Sequence, residues 1–521
     1  MGLARLIAMT AIAVSLAMPT AAAKTLRWAS ADDALTLDPH SRNDGPTSAM
    51  AQHIYDALIQ RDPSLRKMPN LALSWKPTAD DAWQFKLRPG VTFSDGSPFT
   101  SADVVFSLRR AMAPTSDFKD YLSSVKEVKA DDPLTVTVYT RGPNPILPDQ
   151  LTYIFMMSRS WAQKHDVVTP TSHKDRQDSF AVRNAMGTGP FVVRQRDPGI
   201  RTVLARNPGY WDAADFADYP DEIVYTPIRE PTSRVAALLS GQIDFLLDAP
   251  LQDIGRIKAT AGLRTLQTAQ VRTLFLGLDV GAPALKYGDV AGTNPFADPR
   301  VREAMLKAID VEAIHRKVMG GFSAPAGVIA PPAVHGWTKA LDARPAHDLA
   351  GARKLMADAG YARGFKVTLD CPDDRYANDE AICRAIVGML AQIGIGVDLQ
   401  ARSKTLHFPK LQKRDSSFYL LGWGVPTLDS HHILTYLYRT GGSWNFTGLS
   451  DKALDALILA MSKETDSAKR DGMIADAWKI AKASNVYLPI HHPVIVWSMS
   501  EKVTMPIVAT GSPNFKYAVI K

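Results

Sequence analysis

The uninterrupted length of the chain is the sequence feature that most limits its possible folds. Residues 24–521 contain no internal repeat, long linker or low-complexity tract. This stretch far exceeds the roughly 250–300 residues at which a single hydrophobic core stops growing. The hydrophobic content of 46% and the charged content of 22% are ordinary for a globular protein with a full core. We therefore expect two or more lobes, each assembled from discontinuous segments.

The N-terminus has the layout of a cleavable secretory signal. Arg5 supplies a positive charge, residues 6–18 form an almost continuous apolar run, and small residues ending at Ala23 precede Lys24. The run is shorter than the about 20 residues that span a bilayer. We interpret residues 1–23 as a signal peptide cleaved near Ala23, so that a soluble chain reaches the periplasm. An uncleaved membrane anchor is the alternative.

The charge distribution argues against a nucleic-acid partner. The formal net charge is +7, which is mild for this length, and the basic residues are dispersed without a run of five or more. After the signal, no segment has 18 uninterrupted apolar residues, so the sequence predicts no further membrane span.

The chain has two cysteines, Cys371 and Cys383. In an oxidising compartment an isolated pair of this kind favours a disulfide over a metal site. Such a bridge would fix the loop between a strand that ends at Cys371 and a helix that contains Cys383. The alternative is two reduced thiols that act as small core residues.

Alternating and helical patterns follow one another along the chain, which predicts a mixed α/β fold. Residues 83–87 and 135–139 alternate as half-buried strands do. Residues 100–103 offer hydroxyl caps and, at Asp103, an acidic residue for the first turn of a helix, and residues 301–314 have the periodicity of one helix. Residues 365–369, a helix over 378–393 and residues 396–400 form a strand–helix–strand unit, which indicates a local parallel sheet.

The sequence contains no phosphate-binding loop, metalloprotease motif, C-x-x-C pair or nucleophile elbow. We therefore predict neither an enzyme nor a cofactor. Histidines are the only metal-ligand candidates, but adjacent histidines point in different directions, so neither pair chelates well alone. We predict no metal site and interpret them as surface or lobe-interface residues, while convergence on a metal stays the alternative; they are His407, His431, His432, His491 and His492.

A series of ordered segments resembles the large periplasmic solute-binding proteins of the dipeptide/oligopeptide/nickel class, which serve ABC importers. The most specific segment is WQFKLRPGVTFSDGSPFTSADVVFS at 83–107, which is close to the N-terminal signature of that family. The resemblance covers essentially the whole mature chain. The other segments follow in the order of the family: LDP at 37–39, GTGPF at 187–191, RNPGYWD at 206–212, GQID at 241–244, DPRVREA at 298–304, AGY at 359–361, GW at 422–423, and Asn445.

The resemblance implies a two-lobed fold with an extra N-terminal subdomain and a hinged cleft between the lobes. We expect the chain to cross between the lobes near residues 274–280 and 489–497, which are apolar and strand-like. The corresponding division assigns 24–65, 190–278 and 498–521 to lobe I, 66–189 to the N-terminal subdomain, and 279–497 to lobe II.

The resemblance also indicates which residues line the ligand cleft, and it marks one departure from the peptide binders. In those relatives an acidic residue soon after the Gly-Trp pair binds the α-ammonium of the ligand. Here that position holds Pro426, while Asp429 matches a later acidic residue and could rescue the interaction if the loop rearranged. A buried ammonium without a carboxylate would cost several kcal/mol. The predicted ligand-binding residues are Thr47, Trp423, Gly424, Val425, Pro426, Asp429, Trp444 and Asn445.

The function that the resemblance implies is capture of a small peptide or peptide-like solute and its delivery to the permease of an ABC importer. We expect a monomer without catalysis of its own. The alternatives are a binder of an opine, a glycoside, nickel, haem or a metallophore within the same class, and a secreted hydrolase.

Overall fold

The computed structural model describes residues 23–172, 179–216 and 218–521. Most of the predicted signal segment, residues 1–22, therefore lies outside the described residues. The described strands are β1 Thr25–Ser30, β2 Ile59–Arg61, β3 Lys67–Pro69, β4 Ala72–Ala79, β5 Ala82–Leu87, β6 Val125–Asp132, β7 Thr135–Thr140, β8 Phe191–Asp197, β9 Arg201–Arg206, β10 Glu222–Pro227, β11 Phe245–Leu246, β12 Leu263–Ala269, β13 Arg272–Leu278, β14 Ser323–Pro325, β15 Phe365–Pro372, β16 Ile395–Arg402, β17 Phe418–Gly424, β18 Tyr487–Ser500, β19 Val503–Thr504 and β20 Val519–Ile520.

The α-helices pack on these strands, as in other mixed α/β proteins. Those in the described residues are α1 Gly45–Ile54, α2 Ser101–Ala111, α3 Leu147–Leu151, α4 Arg159–Lys164, α5 Phe180–Arg183, α6 Pro231–Leu239, α7 Ile254–Ala259, α8 Pro299–Ala308, α9 Val311–Ala313, α10 Leu349–Asp358, α11 Asp379–Ala391, α12 Lys404–Gln412, α13 Ser430–Ile433, α14 Lys452–Met461 and α15 Ser467–Ser484.

Lobe I is built around β1. This strand pairs in parallel with β10 and β11, and β10 continues antiparallel into β9 and β8. Leu26 and Trp28 on β1 are buried in a core that also receives Phe245 and Phe515 from distant parts of the chain. The lobe is therefore assembled from discontinuous segments, as the length of the chain predicted.

The N-terminal subdomain is an antiparallel sheet in the order β4-β5-β7-β6 covered by α2. The predicted helix start is confirmed, because Thr100 and Asp103 form a reciprocal capping box before α2. Phe93 and Phe99 are both buried, with ring centroids 5.9 Å apart. The family signature over 83–107 is thus a strand, a turn and a capped helix, and its aromatic residues are core residues.

Lobe II contains the predicted strand–helix–strand unit. Strands β15 and β16 are parallel, α11 connects them, and β17 lies on the other side of β15. The predicted disulfide joins Cys371 to Cys383 with an S–S distance of 2.01 Å. The prediction of one helix over 301–314 was wrong: α8 ends at Ala308 because Ile309 has an extended backbone, and Asp310 then caps the separate helix α9.

The strands that connect the lobes are β13 and β18. The C-terminal half of β18 pairs with β12 in lobe I, and its N-terminal half pairs with β13, which itself pairs with β17 in lobe II. The crossings therefore lie at residues 270–271 and 492–493. The second crossing falls inside the predicted range, but the first was predicted too late in the chain, because all of β13 is hydrogen-bonded within lobe II.

Within the part of the chain that the structure describes, no helix combines the length and the apolar character needed to cross a membrane.

The disulfide generates a stability prediction. Replacing both Cys371 and Cys383 by Ser should lower the free energy of unfolding by up to about 3 kcal/mol, because a cross-link over so short a segment restricts the unfolded chain only modestly. Guanidinium denaturation of the mature protein would measure the change. A titration of unreduced, denatured wild-type protein that finds two free thiols would contradict the bridge itself.

Candidate ligand-binding cleft

The two lobes face each other across the carboxyl ends of their parallel strands. Strand β1 ends at Ser30 in lobe I, and β15, β16 and β17 end on the facing side of lobe II. Lys404, which begins α12 after β16, forms an ion pair across the gap with Asp32 after β1, at 2.8 Å. In open α/β sheets, ligands bind beyond the carboxyl ends of parallel strands. The space between these two edges is therefore the candidate site.

The N-terminal subdomain supplies a third, aromatic wall. The rings of Tyr121 and Tyr153 are parallel, with centroids 6.1 Å apart. The Tyr121 hydroxyl accepts a hydrogen bond from the Asn43 side chain of lobe I, and its ring lies 6.2 Å from His432 of lobe II. All three parts of the molecule thus meet at Tyr121.

Arg272 is a cation of the cleft without an acidic partner. It pairs with Gly424 in the β13–β17 ladder, beside the first crossing between the lobes, and a Cβ at Gly424 would lie 3.6 Å from a guanidinium nitrogen of Arg272. Its side chain forms no hydrogen bond or ion pair with a described residue; its neighbour is the ring of Tyr376, 5.9 Å away. Burial, reinforced by the nearby positive charge of Arg375, lowers the pKa of Arg272 to about 10. The cleft therefore holds an uncompensated positive charge.

Arg375 contributes a second cation from the loop after β15. Its guanidinium lies 5.2 Å from the same Tyr376 ring, and it has no ion-pair partner among the described residues. The Tyr376 hydroxyl accepts the backbone N–H of Gly422 at 2.9 Å. A Cβ at Gly422 would approach this ring to 2.8 Å, so only glycine lets Tyr376 lie there. This contact explains the glycine of the Gly-Trp pair.

Trp423 belongs to an aromatic cluster on lobe II. It is half-buried, its indole N–H donates to His432 at 3.2 Å, and its ring lies 5.4 Å from Trp444 and 5.8 Å from Tyr436. The structure thus brings two of the predicted residues, Trp423 and Trp444, together. Trp423 packs partly against the lobe II core and keeps an accessible part.

The loop after Trp423 is held by internal contacts. Val425 is buried and donates its N–H to the carbonyl oxygen of Val271 at 3.2 Å, while Pro426 is partly buried. Leu428 has a φ of 55°, a left-handed conformation that is unfavourable for a residue with a side chain. The surrounding contacts must therefore stabilise this turn.

Asp429 supplies the strongest of those contacts. Its two carboxylate oxygens each accept a hydrogen bond from Arg470 at 2.8 Å, and His335 lies 3.1 Å from one of them. Burial alone would raise the pKa of Asp429, but hydrogen bonds from His335 and Arg470 lower it well below its usual range. The carboxylate also accepts the N–H of His431 at the start of α13. Its charge is already compensated within lobe II.

Two other predicted residues also use their polar groups internally. The Thr47 hydroxyl donates to Asp44 and accepts the N–H of Leu35, which ties α1 to the loop after β1. The Asn445 amide donates to the carbonyl oxygens of Arg439 and Leu449 at 2.9 Å each. Both residues are buried and support neighbouring segments of the cleft.

The histidines are dispersed and mostly buried. Burial lowers the pKa of His407 to about 4 and that of His432 and His491 to about 3, so these rings are neutral near pH 7. Their partners differ: His407 bonds to the Leu420 carbonyl, whereas His432 bonds to Trp423. Across the residues that the structure describes, no group of three His, Cys, Asp or Glu side chains could hold a metal ion.

Sequence reasoning missed the charged part of the cleft. Neither Arg272 nor Arg375 was predicted, and Tyr153 and Tyr376 were missed as well. One signal was present: Arg272 is the single charged residue within the apolar stretch of residues 271–278, at a crossing between lobes.

The Asp429–Arg470 pair generates a second prediction. Asp429→Asn should lower the free energy of unfolding by roughly 3–5 kcal/mol, because it leaves the buried Arg470 without a counter-ion. The matched control is Asp471→Asn, since Asp471 contacts the same His335 but its side chain is 57% exposed; that loss should stay below about 1 kcal/mol. Urea denaturation measures both, and equal effects would contradict this role of Asp429.

Comparisons with known proteins agree with the geometry. A sequence profile of the family described as "Bacterial extracellular solute-binding proteins, family 5 Middle" matches residues 67–445. The glutathione-binding protein GsiB of Salmonella paratyphi A is 24% identical over 503 residues, which cover 94% of this chain and 93% of that protein.

Solved structures share the fold over nearly the full length. DppA from Helicobacter pylori, in complex with the peptide STSA, superposes with a TM-score of 0.80 at 22% identity, covering 95% of this chain and 98% of that one. AgaA from A. tumefaciens, in complex with agropinic acid, superposes with a TM-score of 0.79 at 23% identity, covering 95% and 99%. The two-lobed fold predicted from sequence is therefore confirmed.

Proposed function

The chain belongs to family 5 of the bacterial extracellular solute-binding proteins, and from that premise we propose that it captures a small peptide-like solute that carries a carboxylate. The solute binds between the lobes and is delivered to the permease of an ABC importer. Relatives across the family are binding proteins of such transporters and not enzymes.

The observation that carries the choice of ligand is the pair of cations without counter-ions, Arg272 and Arg375. Arg272 is partly buried, where an uncompensated charge is unfavourable by itself, whereas Arg375 is exposed beside it. A planar guanidinium presents a fork of N–H donors that matches a carboxylate in two parallel hydrogen bonds. A carboxylate placed against Tyr376, where both side chains meet, would satisfy both cations.

The other end of the ligand is not recognised through a free α-ammonium. Pro426 occupies the position where peptide binders of this family carry an acidic residue, and Asp429 is engaged by Arg470. In lobe I, Asp32 after β1 pairs with Lys404, and Asp33 pairs with Arg196.

The relatives fit the same chemistry. GsiB is a glutathione-binding protein, DppA was solved with the peptide STSA and AgaA with agropinic acid. Carboxylate recognition accommodates peptides, glutathione and opines. The aromatic cluster of Trp423, Tyr436 and Trp444 would contact the less polar part of such a ligand.

The remaining parts of this proposal concern the setting of the protein. We expect export to the periplasm with cleavage near Ala23, action as a monomer, and no cofactor. N-terminal sequencing of the periplasmic protein would locate the cleavage.

The ligand proposal is tested with matched analogues. Trialanine, N-acetyl-trialanine, trialanine amide, S-methylglutathione and agropinic acid are compared by thermal shift and calorimetry. Acetylation should change the Kd by less than about tenfold, or 1.4 kcal/mol, whereas amidation should remove a charged hydrogen bond worth about 1.5–3 kcal/mol. If acetylation abolished binding and amidation did not, the ligand would be an ordinary peptide bound by its amino terminus.

Replacing Arg272 should lower the affinity for ligand without lowering the stability of the fold. In Arg272→Met we expect the free energy of unfolding to stay constant or rise by about 1 kcal/mol, because an unpaired cation leaves a partly buried site. The affinity for carboxylate ligands should fall by about 10- to 100-fold. Arg256→Met on α7 is the control, since that side chain is exposed and pairs with Asp253. A stability loss without an affinity loss would give Arg272 a purely structural role.

A further inference from the structure

We propose that the Cys371–Cys383 disulfide positions the ligand-binding cation Arg375, so that reduction of the disulfide weakens ligand capture. The segment concerned is the arginine loop, residues 373–378, which carries Arg375 and Tyr376. The inference rests on the proposed function, because it concerns how the same carboxylate site is held in place.

The disulfide joins the two stems of the arginine loop. Cys371 lies next to the last residue of β15, and Cys383 lies in the second turn of α11. Both residues are fully buried, with their Cα atoms 6.6 Å apart. The bridge therefore spans only the loop and the first turn of the helix, and it fixes the points where the loop leaves the strand and enters the helix.

Within this frame one carboxylate organises the backbone of the loop. Asp379 is buried and accepts the N–H groups of Arg375, Tyr376 and Glu380 at 3.0, 2.9 and 3.0 Å. Asn378 has a φ of 57° and enters α11 in a left-handed conformation, which asparagine adopts more readily than other residues with a side chain. The arginine loop is thus held by the disulfide and by Asp379.

The arginine loop in turn connects to each part of the cleft that we assign to ligand capture. The Tyr376 hydroxyl bonds to Gly422, and the Tyr376 ring lies beside the guanidinium groups of both Arg272 and Arg375. Asp374 accepts the N–H of Lys404, whose side chain pairs with Asp32 of lobe I. A displaced loop would therefore move Arg375, which it carries, while Arg272 stays on β13.

The cysteines act as positioning residues. Their side chains are buried in the lobe II core and do not touch the cleft, whereas Asp373, Asp374 and Arg375 are exposed. The effect of the bridge on a ligand must therefore pass through Arg375 and Tyr376. If the bridge acts by positioning Arg375, replacing Arg375 should remove most of the dependence of ligand affinity on the disulfide. A general stabilising effect would not depend on Arg375.

The first test needs no ligand. Hydrogen–deuterium exchange of the mature protein is compared with that of the double variant Cys371→Ser, Cys383→Ser. We expect the amides of Arg375 and Tyr376 to exchange at least tenfold faster in the variant, with no change in β4 and β5. Asp379→Asn, which keeps the disulfide, should shift the same amides in the same direction. Unchanged exchange in the arginine loop of the double cysteine variant would overturn the proposal.

The second test measures affinity with S-methylglutathione, which carries carboxylates and no free thiol to attack the disulfide. Loss of the bridge should raise its Kd at least tenfold in the wild-type background and less than twofold in an Arg375→Gln background. Ile386→Val, a core substitution on α11, is the stability control and should leave the Kd unchanged. A tenfold loss that persists in the Arg375→Gln background would overturn the positioning role.

The two tests separate this inference from the proposed function. If S-methylglutathione failed to bind the wild-type protein, that result would count against the proposed ligand class, and hydrogen exchange would decide the role of the disulfide in holding the loop.

Discussion

The passage of the chain between the lobes through β13 and β18 is the constraint on which the cleft depends. Each strand is hydrogen-bonded deep into a lobe, and the change of partner is confined to residues 270–271 and 492–493. Pro493 stands at the second crossing, where a residue without an N–H removes one ladder donor, and its carbonyl accepts the N–H of Gln270. Backbone hydrogen bonds at the crossings, such as that from Gln270 to Pro493, lie next to Arg272.

This placement couples the charge of the cleft to the contact between lobes. Arg272 begins β13, so lobe II carries its guanidinium. Burial raises the pKa of Tyr153 in the N-terminal subdomain, and the nearby positive charge of Arg272 opposes that rise. An unpaired cation opposes burial, because its desolvation is not offset by a partner. In the function that we propose, a ligand carboxylate offsets that penalty, and capture then favours the arrangement in which the lobes enclose the ligand.

Local signals were sufficient for elements whose partners lie close in sequence. The capping box of Thr100 and Asp103, the parallel pair β15–β16 and the disulfide between Cys371 and Cys383 were all predicted correctly. The site was harder to predict from the sequence, because its contacts join residues that are far apart in the chain. Asp429 pairs with Arg470 of a later helix, and Arg272 lies near Tyr376, which follows another strand. A residue pattern shows that Asp429 is acidic but not that its charge is already neutralised.

The difference between local and distant contacts also explains why the motif residues and the proposed binding residues are not the same residues. Gly422, Asp429 and Asn445 stand out in sequence because tertiary contacts allow few residue types there: a ring covers the glycine, an arginine neutralises the acid, and carbonyl oxygens surround the amide. Such positions preserve the scaffold. Arg272 and Arg375 have no intramolecular partner to constrain them, so the contacts that determine the ligand can vary while the fold is retained. The carboxylate site that we propose thus uses residues without internal partners, carried on a scaffold that internal contacts hold in place.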